Sequence, residues 1–225
     1  MIELAGDSIP GDSLSTTMVV TLAVADSADV LSVTGSIDSL QVERGARITT
    51  TDSAPPLPIP LRGVLDRQGG VVRLGDSTAV PDSLCTTTLD PLITTARDVF
   101  VRLPERLTSG ATWQDTTRTT SCRGRIPITT TTVATYNVLG EQAIAGRNLM
   151  AVGRTTTIAL AGRGEQYGRS ATVQGAGTGT ATLLFEPGTA ALVDGQSQST
   201  VTVTFESGML RQTFTQHGRQ EIRQR

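Results

Sequence analysis

Hydrophobic residues recur at every second position through residues 126–162, and this period indicates β-strands. The large apolar side chains keep one parity before a central turn and one parity after it: Ile126, Ile128, Ala134, Tyr136, Val138, then Met150, Val152, Ile158 and Leu160. A helix would distribute these side chains around its axis, whereas a strand places positions i, i+2 and i+4 on one face. The stretch therefore predicts two long, half-buried antiparallel strands.

The apolar parity is interrupted midway along both strands. Thr130 and Thr132 interrupt it in the first strand, and Arg154 and Thr156 interrupt it in the second. We favour the interpretation that the strands cross a sheet edge, where burial changes from one face to the other. The alternative is a concave surface with polar groups midway, as a cleft would have.

Similar alternation on both sides of this stretch predicts a mainly all-β chain. The expected fold is a curved antiparallel sheet or half-barrel meander with one short helix near residues 90–101. Asp90 suits the N-cap of that helix and Pro91 its first position, and we expect the helix to pack on a sheet face. Residues 61–74 predict a hairpin about Gly69 and Gly70.

The predicted organisation is a single domain, because 225 residues at 37% hydrophobic content can bury one substantial core. Its parts are strands in 1–80, a disulfide loop and helix in 81–104, an antiparallel meander in 105–217 and a tail in 218–225.

Five residues are expected to have structural roles. Trp113, the sole tryptophan, is predicted to plug the core, and Tyr136 lies on the apolar parity of its strand. Gly175, Gly177 and Gly179 share one face of the strand predicted over 171–185, which indicates sharp curvature or close approach by another segment.

Cys85 and Cys122 lie in polar segments, where a buried structural thiol would be out of place. We therefore predict a disulfide between them. Closing a loop of about 38 residues would contribute on the order of 4 kcal/mol in the loop-entropy model. Such a bond implies an oxidising compartment, so the expected location is extracytoplasmic: periplasmic, associated with the outer membrane, or secreted.

Charge and composition limit the classes of partner that we expect. The 19 basic residues, all arginine, are scattered among 21 acids, and the net charge is −2, so no nucleic-acid partner is expected. No run approaches 18 apolar residues, and the first residues lack the pattern of a signal peptide. Any membrane association is expected to be peripheral.

The sequence contains few residues in a pattern that is typical of catalytic sites. The only histidine, His217, has no serine or cysteine motif to serve, and no cofactor or metal motif is present, so we expect neither enzymatic activity nor a bound cofactor. A glycosidase could use two carboxylates, but the sequence does not identify a pair.

Short motifs in residues 61–217 are similar to those of a known group of domains. They are Gly63–Asp66 with Gly70, Leu103-Pro104, Gly110–Trp113, Tyr136–Val138, Gly146–Asn148 and Phe185–Gly188. Together they resemble a group of uncharacterised bacterial secreted and lipoprotein domains. The fold that this implies is similar to the half-barrel of LolA and LppX type lipoprotein and lipid carriers, a curved sheet with a helix across its concave side. The resemblance transfers no functional residues.

Two functional hypotheses follow. The first is a non-enzymatic binding module of the bacterial envelope, or a secreted one, that holds a lipid or other amphiphilic ligand against a curved sheet. The second is a structural or assembly subunit of a surface filament or adhesin, which would self-associate through exposed strand edges. The sequence does not identify the ligand-binding residues of the first.

Overall fold

The computed structural model describes residues 2–9, 12–27, 29–44, 47–48, 56–76, 96–123, 126–166 and 168–224, and it gives only the backbone of residues 2–9, 12–16, 42–44, 47–48, 76, 122–123 and 166. Nearly all of the described chain is β-strand. The strands are β1 (Ile2–Ile9), β2 (Asp12–Ser27), β3 (Val30–Arg44), β4 (Arg47–Ile48), β5 (Ile59–Leu65), β6 (Val71–Asp76), β7 (Thr112–Arg123), β8 (Ile126–Ile144), β9 (Arg147–Gln166), β10 (Arg169–Phe185), β11 (Leu192–Ser207) and β12 (Leu210–Arg223).

The strands form two antiparallel meanders that meet edge to edge. One has the order β6-β5-β3-β2-β1, with β4 beside β3, and the other has the order β12-β11-β10-β9-β8-β7. They join where β1 pairs with β12, in the register Ile2 to Ile222. The described strands end at β6 on one side and at β7 on the other, so the architecture is open. These features confirm the prediction of a curved all-β antiparallel fold. The pairing of β5 with β6 and of β8 with β9 confirms the two predicted hairpins.

One face, which we call the inner face, carries most of the buried side chains, in three apolar clusters. The first lies in β2, β3, β5 and β6, and the second lies at one end of β8, β9 and β10. The third lies at the other end of the same strands and on β11, with Ile128, Val173 and Val203 among its buried members. Residues 96–107, which we call the roof segment, cover the first two clusters through Ala96, Phe100, Val101 and neighbouring side chains.

The interruption of parity in β8 and β9 does not mark a change of buried face, so the favoured interpretation was wrong. Cross-strand register keeps Thr132 opposite Ile158 and Tyr136 opposite Arg154, all on the inner face. The polar residues instead line an opening between the second and third clusters. The same parity of β8 and β9 stays on the inner face, and only the side chains change from apolar to polar.

Two further boundaries differ from expectation or lie outside the described residues. Residues 218–223, predicted as a tail, continue β12, because they pair with β11 and bury Ile222 in the first cluster. The predicted helix begins outside the described residues; Ala96 and Arg97 are helical and are followed by a turn. The predicted bond between Cys85 and Cys122 also lies outside the described residues and stays a prediction.

Candidate functional site

A cleft of about 300 Å³ opens on the inner face between the second and third clusters. Its walls come from β7, β8, β9, β11 and β12, and the roof segment borders it. We call it the central cleft and define it by the following lining residues: Arg97, Asp98, Arg102, Asp115, Thr117, Thr119, Thr130, Thr132, Tyr136, Arg154, Thr156, Ile158, Ser197, Ser199 and Gln220. Because these residues follow the inner-face parity of their strands, the alternation that builds the core also builds the cleft.

Three glycines on β10 allow this strand to lie very close to β9 and β11 beside the cleft. Gly179 lies in register between Thr156 and Ser199, and a β-carbon at Gly179 would lie 2.6 Å from the hydroxyl of Thr156. At Gly177 a β-carbon would lie 2.3 Å from the carbonyl oxygen of Thr200, and at Gly175 it would lie 2.7 Å from that of Thr202. Both distances are too short for any side chain, so β10 contributes only backbone here.

Charged groups face each other within the central cleft. Asp98 lines the cleft and is exposed as a whole residue, but many protein atoms crowd its carboxylate. This crowding raises the pKa of Asp98 more than the charges of Arg154 and Arg97 and contact with Gln220 lower it. Burial likewise lowers the pKa of Arg97, and the negative charge of Asp98 raises it again only in part. The charged form of each group is therefore not fully stabilised by its neighbours.

Three buried nitrogen donors of the cleft residues have no hydrogen-bond partner of good geometry. They are the Nε of Arg102, the Nε of Arg154 and the Nε2 of Gln220. Ser197 donates its hydroxyl to the amide oxygen of Gln220 at 3.4 Å, and the side chain of Gln220 also contacts the carboxylate of Asp98. An unsatisfied buried donor costs about 1–3 kcal/mol, so these positions lower the stability of the fold.

An aromatic pair closes the end of the cleft next to the second cluster. The rings of Trp113 and Tyr136 stack with centroids 4.9 Å apart, and the indole nitrogen donates to the carbonyl oxygen of Arg102 at 2.8 Å. Arg154 donates a hydrogen bond to the Tyr136 hydroxyl. Burial nevertheless raises the pKa of that hydroxyl. Trp113 therefore packs against the second cluster and also connects to the cleft through Tyr136 and Arg154.

An ion cluster fixes the roof segment to the β5–β6 hairpin. Arg102 pairs with Asp66, and its other terminal nitrogen lies 3.4 Å from Asp115. The backbone NH of Leu103 donates to the carbonyl of Gln68 at 2.9 Å. Burial alone would raise the pKa of Asp66, but hydrogen bonds from Arg102 and from the backbone of Gly70 and Gln68 lower it overall. Asp115, which lines the cleft, is thus held by the same arginine that anchors the roof segment.

The sequence identified some of these residues and missed others. Arg154 was noticed only as an interruption of parity, and Arg97 and Asp98 were placed within a helix. Gln220 fell in the predicted tail. His217, singled out as the only histidine, lies on the opposite face of β12, where its ring nitrogen is 3.1 Å from the hydroxyl of Thr200.

Among the described residues, no group of histidine, cysteine and carboxylate side chains could hold a metal ion. Within the same part of the chain, no helix is both long and apolar enough to cross a membrane. Comparison with protein-family models and with curated proteins found no match to this sequence. The function is therefore inferred from the geometry of the central cleft.

Proposed function

We propose that the protein is a non-enzymatic binding module that holds an amphiphilic ligand in the central cleft. The observation that carries this proposal is the order of side chains along β8 and β9. Apolar, polar and again apolar residues follow one another on a single face, and the polar stretch lines the central cleft. Such a surface suits a molecule with one polar group and an adjoining apolar chain.

The apolar part of the ligand would extend from the cleft toward the third cluster. Ile158 lines the cleft, and Leu160 follows it on the same face of β9, beside the partly buried Val201 and Phe214. A volume of about 300 Å³ is at the lower end of the range for ligand sites. The site is therefore sized for one acyl-like chain rather than a multi-chain lipid.

The proposal includes an extracytoplasmic setting, in the bacterial envelope or outside the cell. Its support is the expected Cys85–Cys122 bond and the resemblance to LolA and LppX type carriers, both of which stay predictions. Titration of free thiols in the denatured, unreduced protein addresses the first, and two reactive thiols would contradict it.

A cleft-filling variant tests the binding proposal. Thr132 lines the central cleft, whereas Thr131 next to it points to the opposite face of β8. We expect Thr132→Phe to weaken binding of neutral N-phenylnaphthylamine, followed by its fluorescence, at least about tenfold, a loss of 1.4 kcal/mol or more. The matched variant Thr131→Phe should bind like the parent. Equal binding by both variants, or none by the parent, would contradict the proposal.

A second candidate function, assembly through strand edges, draws on β7. This strand spans twelve residues at one end of the sheet, and among the described residues it pairs only with β8. Edge strands of this length can template pairing with another chain. Sedimentation separates the two functions, because an assembly subunit forms large species and a binding module remains a monomer or dimer.

A further inference from the structure

We infer that the polar part of the ligand in the central cleft is an uncharged polyol, so that the preferred ligand is a single-chain amphiphile with a glycerol-like head. This inference rests on the proposed function and narrows its ligand class. It is carried by six hydroxyl groups of the cleft that have no hydrogen-bond partner in the described part of the chain: Thr117, Thr119, Thr130, Thr132, Thr156 and Ser199.

The six hydroxyls line the cleft from four strands, with two on β7, two on β8 and one each on β9 and β11. On β7 and β8 they form two facing pairs, Thr117 with Thr132 and Thr119 with Thr130. The threonines on β8 and β9 and the serine on β11 are half-buried, yet their oxygen atoms remain accessible from the cleft. A ligand in the cleft can therefore reach these groups.

Threonines on the opposite face of the sheet are arranged differently, because many of them bond to each other across strands. The hydroxyl oxygens of Thr202 and Thr215 lie 3.2 Å apart, and those of Thr204 and Thr213 lie 2.9 Å apart. Each of these groups uses part of its hydrogen-bonding capacity within the protein. The facing pairs of the cleft make no such bond in the described structure, so their full capacity to donate and accept is available to a ligand.

A polyol matches this lining because a hydroxyl group both donates and accepts hydrogen bonds. Each threonine or serine hydroxyl of the cleft has the same double capacity and rotates to suit its partner. Binding displaces water from the lining, and a ligand that replaces the hydrogen bonds of that water avoids the cost of losing them. A carboxylate only accepts and a quaternary ammonium group does neither, so either head would use the lining less fully.

The charged residues of the site also favour an uncharged head. Three arginines and three aspartates interact with one another there: Arg102 with Asp66 and Asp115, and Asp98 with Arg97 and Arg154. The charges of these six residues sum to zero. An ion that entered the cleft would lose water of hydration without gaining a counter-charge of its own, and an uncharged head avoids that cost.

A set of ligands with one shared tail tests the inference on the full-length protein. Decylglycerol (the decyl ether of glycerol), decanol, decanoate and decyltrimethylammonium are titrated below their micelle concentrations at pH 7, with calorimetry and displacement of N-phenylnaphthylamine as readouts. We expect decylglycerol to bind about tenfold more tightly than either ion, and decanol, with its single hydroxyl, to bind with intermediate affinity. An ion that binds as tightly as decylglycerol would overturn the inference.

Two matched double variants locate the effect. Thr117→Val with Thr132→Val removes two facing hydroxyls of the cleft, and Thr116→Val with Thr131→Val makes the same change on the opposite face of the same two strands. We expect the cleft variant to bind decylglycerol about tenfold more weakly but to keep its affinity for N-phenylnaphthylamine, which has no hydroxyl. The control variant should behave like the parent. Matching thermal unfolding curves would establish that both variants fold.

The possible failures are distinguishable. If all four decyl compounds bind equally, or if the cleft variant binds decylglycerol like the parent, the cleft hydroxyls do not recognise the head group. The inference is then overturned while the binding function stands. If neither N-phenylnaphthylamine nor any decyl compound binds to the parent, the proposed function falls and the inference falls with it.

Discussion

The two neighbouring stretches of the inner face, the second cluster and the central cleft, are built from the same strands and differ sharply in chemistry. In the second cluster Val138, Val152 and Leu183 are nearly inaccessible, and the roof segment packs onto them. In the cleft the next positions of the same parity are Thr132, Arg154 and other polar residues. Backbone geometry is shared, so the difference lies in the side chains alone.

This contrast separates the stretch that stabilises the fold from the stretch that we propose to bind a ligand. The second cluster is apolar and closely packed, as a core should be. The cleft contains buried donors without acceptors and charges with incomplete compensation, features that cost stability. Proteins depart from the rules of folding mainly where function requires it.

The largest expected effect comes from opening the second cluster. Phe185 is 2% exposed within it, so Phe185→Ala should lower the free energy of unfolding by about 3–5 kcal/mol, through lost burial and a residual cavity. Urea denaturation followed by circular dichroism measures this. Leu210→Ala is the control, because Leu210 is 58% exposed and should lose little. Similar losses in the two variants would show that the second cluster is not the main source of stability.

A smaller effect is expected beside the cleft, at Gly177. Its β-carbon would lie 2.3 Å from the carbonyl oxygen of Thr200 and 2.7 Å from a methyl carbon of Val201, so Gly177→Val should destabilise the protein by roughly 1–3 kcal/mol. In an unrestricted strand the sign reverses, since valine is a better strand former than glycine. Gly75 on β6 provides that control, because none of the atoms that the structure describes lies within 4 Å of its position for a β-carbon.

Thermal and urea unfolding of both glycine variants decide the point. Gly75→Val should be as stable as the parent or more stable by up to about 1 kcal/mol. If Gly177→Val is also as stable as the parent, the close approach of β10 and β11 does not restrict side chains, and the glycines are incidental.

The sequence was informative wherever period-two alternation was strong. It located β8 and β9 and the hairpin about Gly69 and Gly70. Alternation reports which face a side chain takes but not what covers that face. The interruption at Thr130, Thr132, Arg154 and Thr156 was therefore interpreted as a change of burial, although it marks a lined cleft.

Other parts of the site could not be predicted for physical reasons. Gln220 lies in a polar segment that becomes a strand because it pairs along β11, and only Ile222 contributes an apolar contact there. Arg97 and Asp98 take part in the cleft because the roof segment crosses the sheet. That placement depends on contacts such as the Arg102–Asp66 pair, between residues far apart in sequence.

A still smaller loss is expected when the roof segment is released from the hairpin. Asp66 accepts hydrogen bonds from the backbone NH groups of Gln68 and Gly70 at 2.9 and 2.8 Å, and it pairs with Arg102. Asp66→Ala should therefore cost about 1–2 kcal/mol, measured by urea denaturation at pH 7.

The pH dependence of this loss has a definite sign. Because the pKa of Asp66 is lowered in the folded protein, its contribution is present above the ordinary value of 3.8 and is lost as the pH falls through the folded value. The stability difference between Asp66→Ala and the parent should therefore shrink on acidification. A difference that grows instead would show that the carboxylate is not what stabilises the hairpin.

The smallest effect, with the opposite sign, is expected within the cleft at Asp98. Its pKa is raised in the folded protein, chiefly because protein atoms crowd the carboxylate and despite the charges of Arg154 and Arg97, so folding favours its protonated form. Stability from this group is fully present below the ordinary value of 3.8 and is lost as the pH rises through the folded value. Asp98→Asn stays neutral throughout, so at pH 7 it should be at least as stable as the parent, and this relative gain should disappear near pH 3. Melting temperatures of both proteins across this range measure the effect. If Asp98→Asn were clearly less stable at pH 7, pairing with the arginines would outweigh separation from water, and Asp98 would belong with the stabilising contacts of the fold rather than with the ligand site.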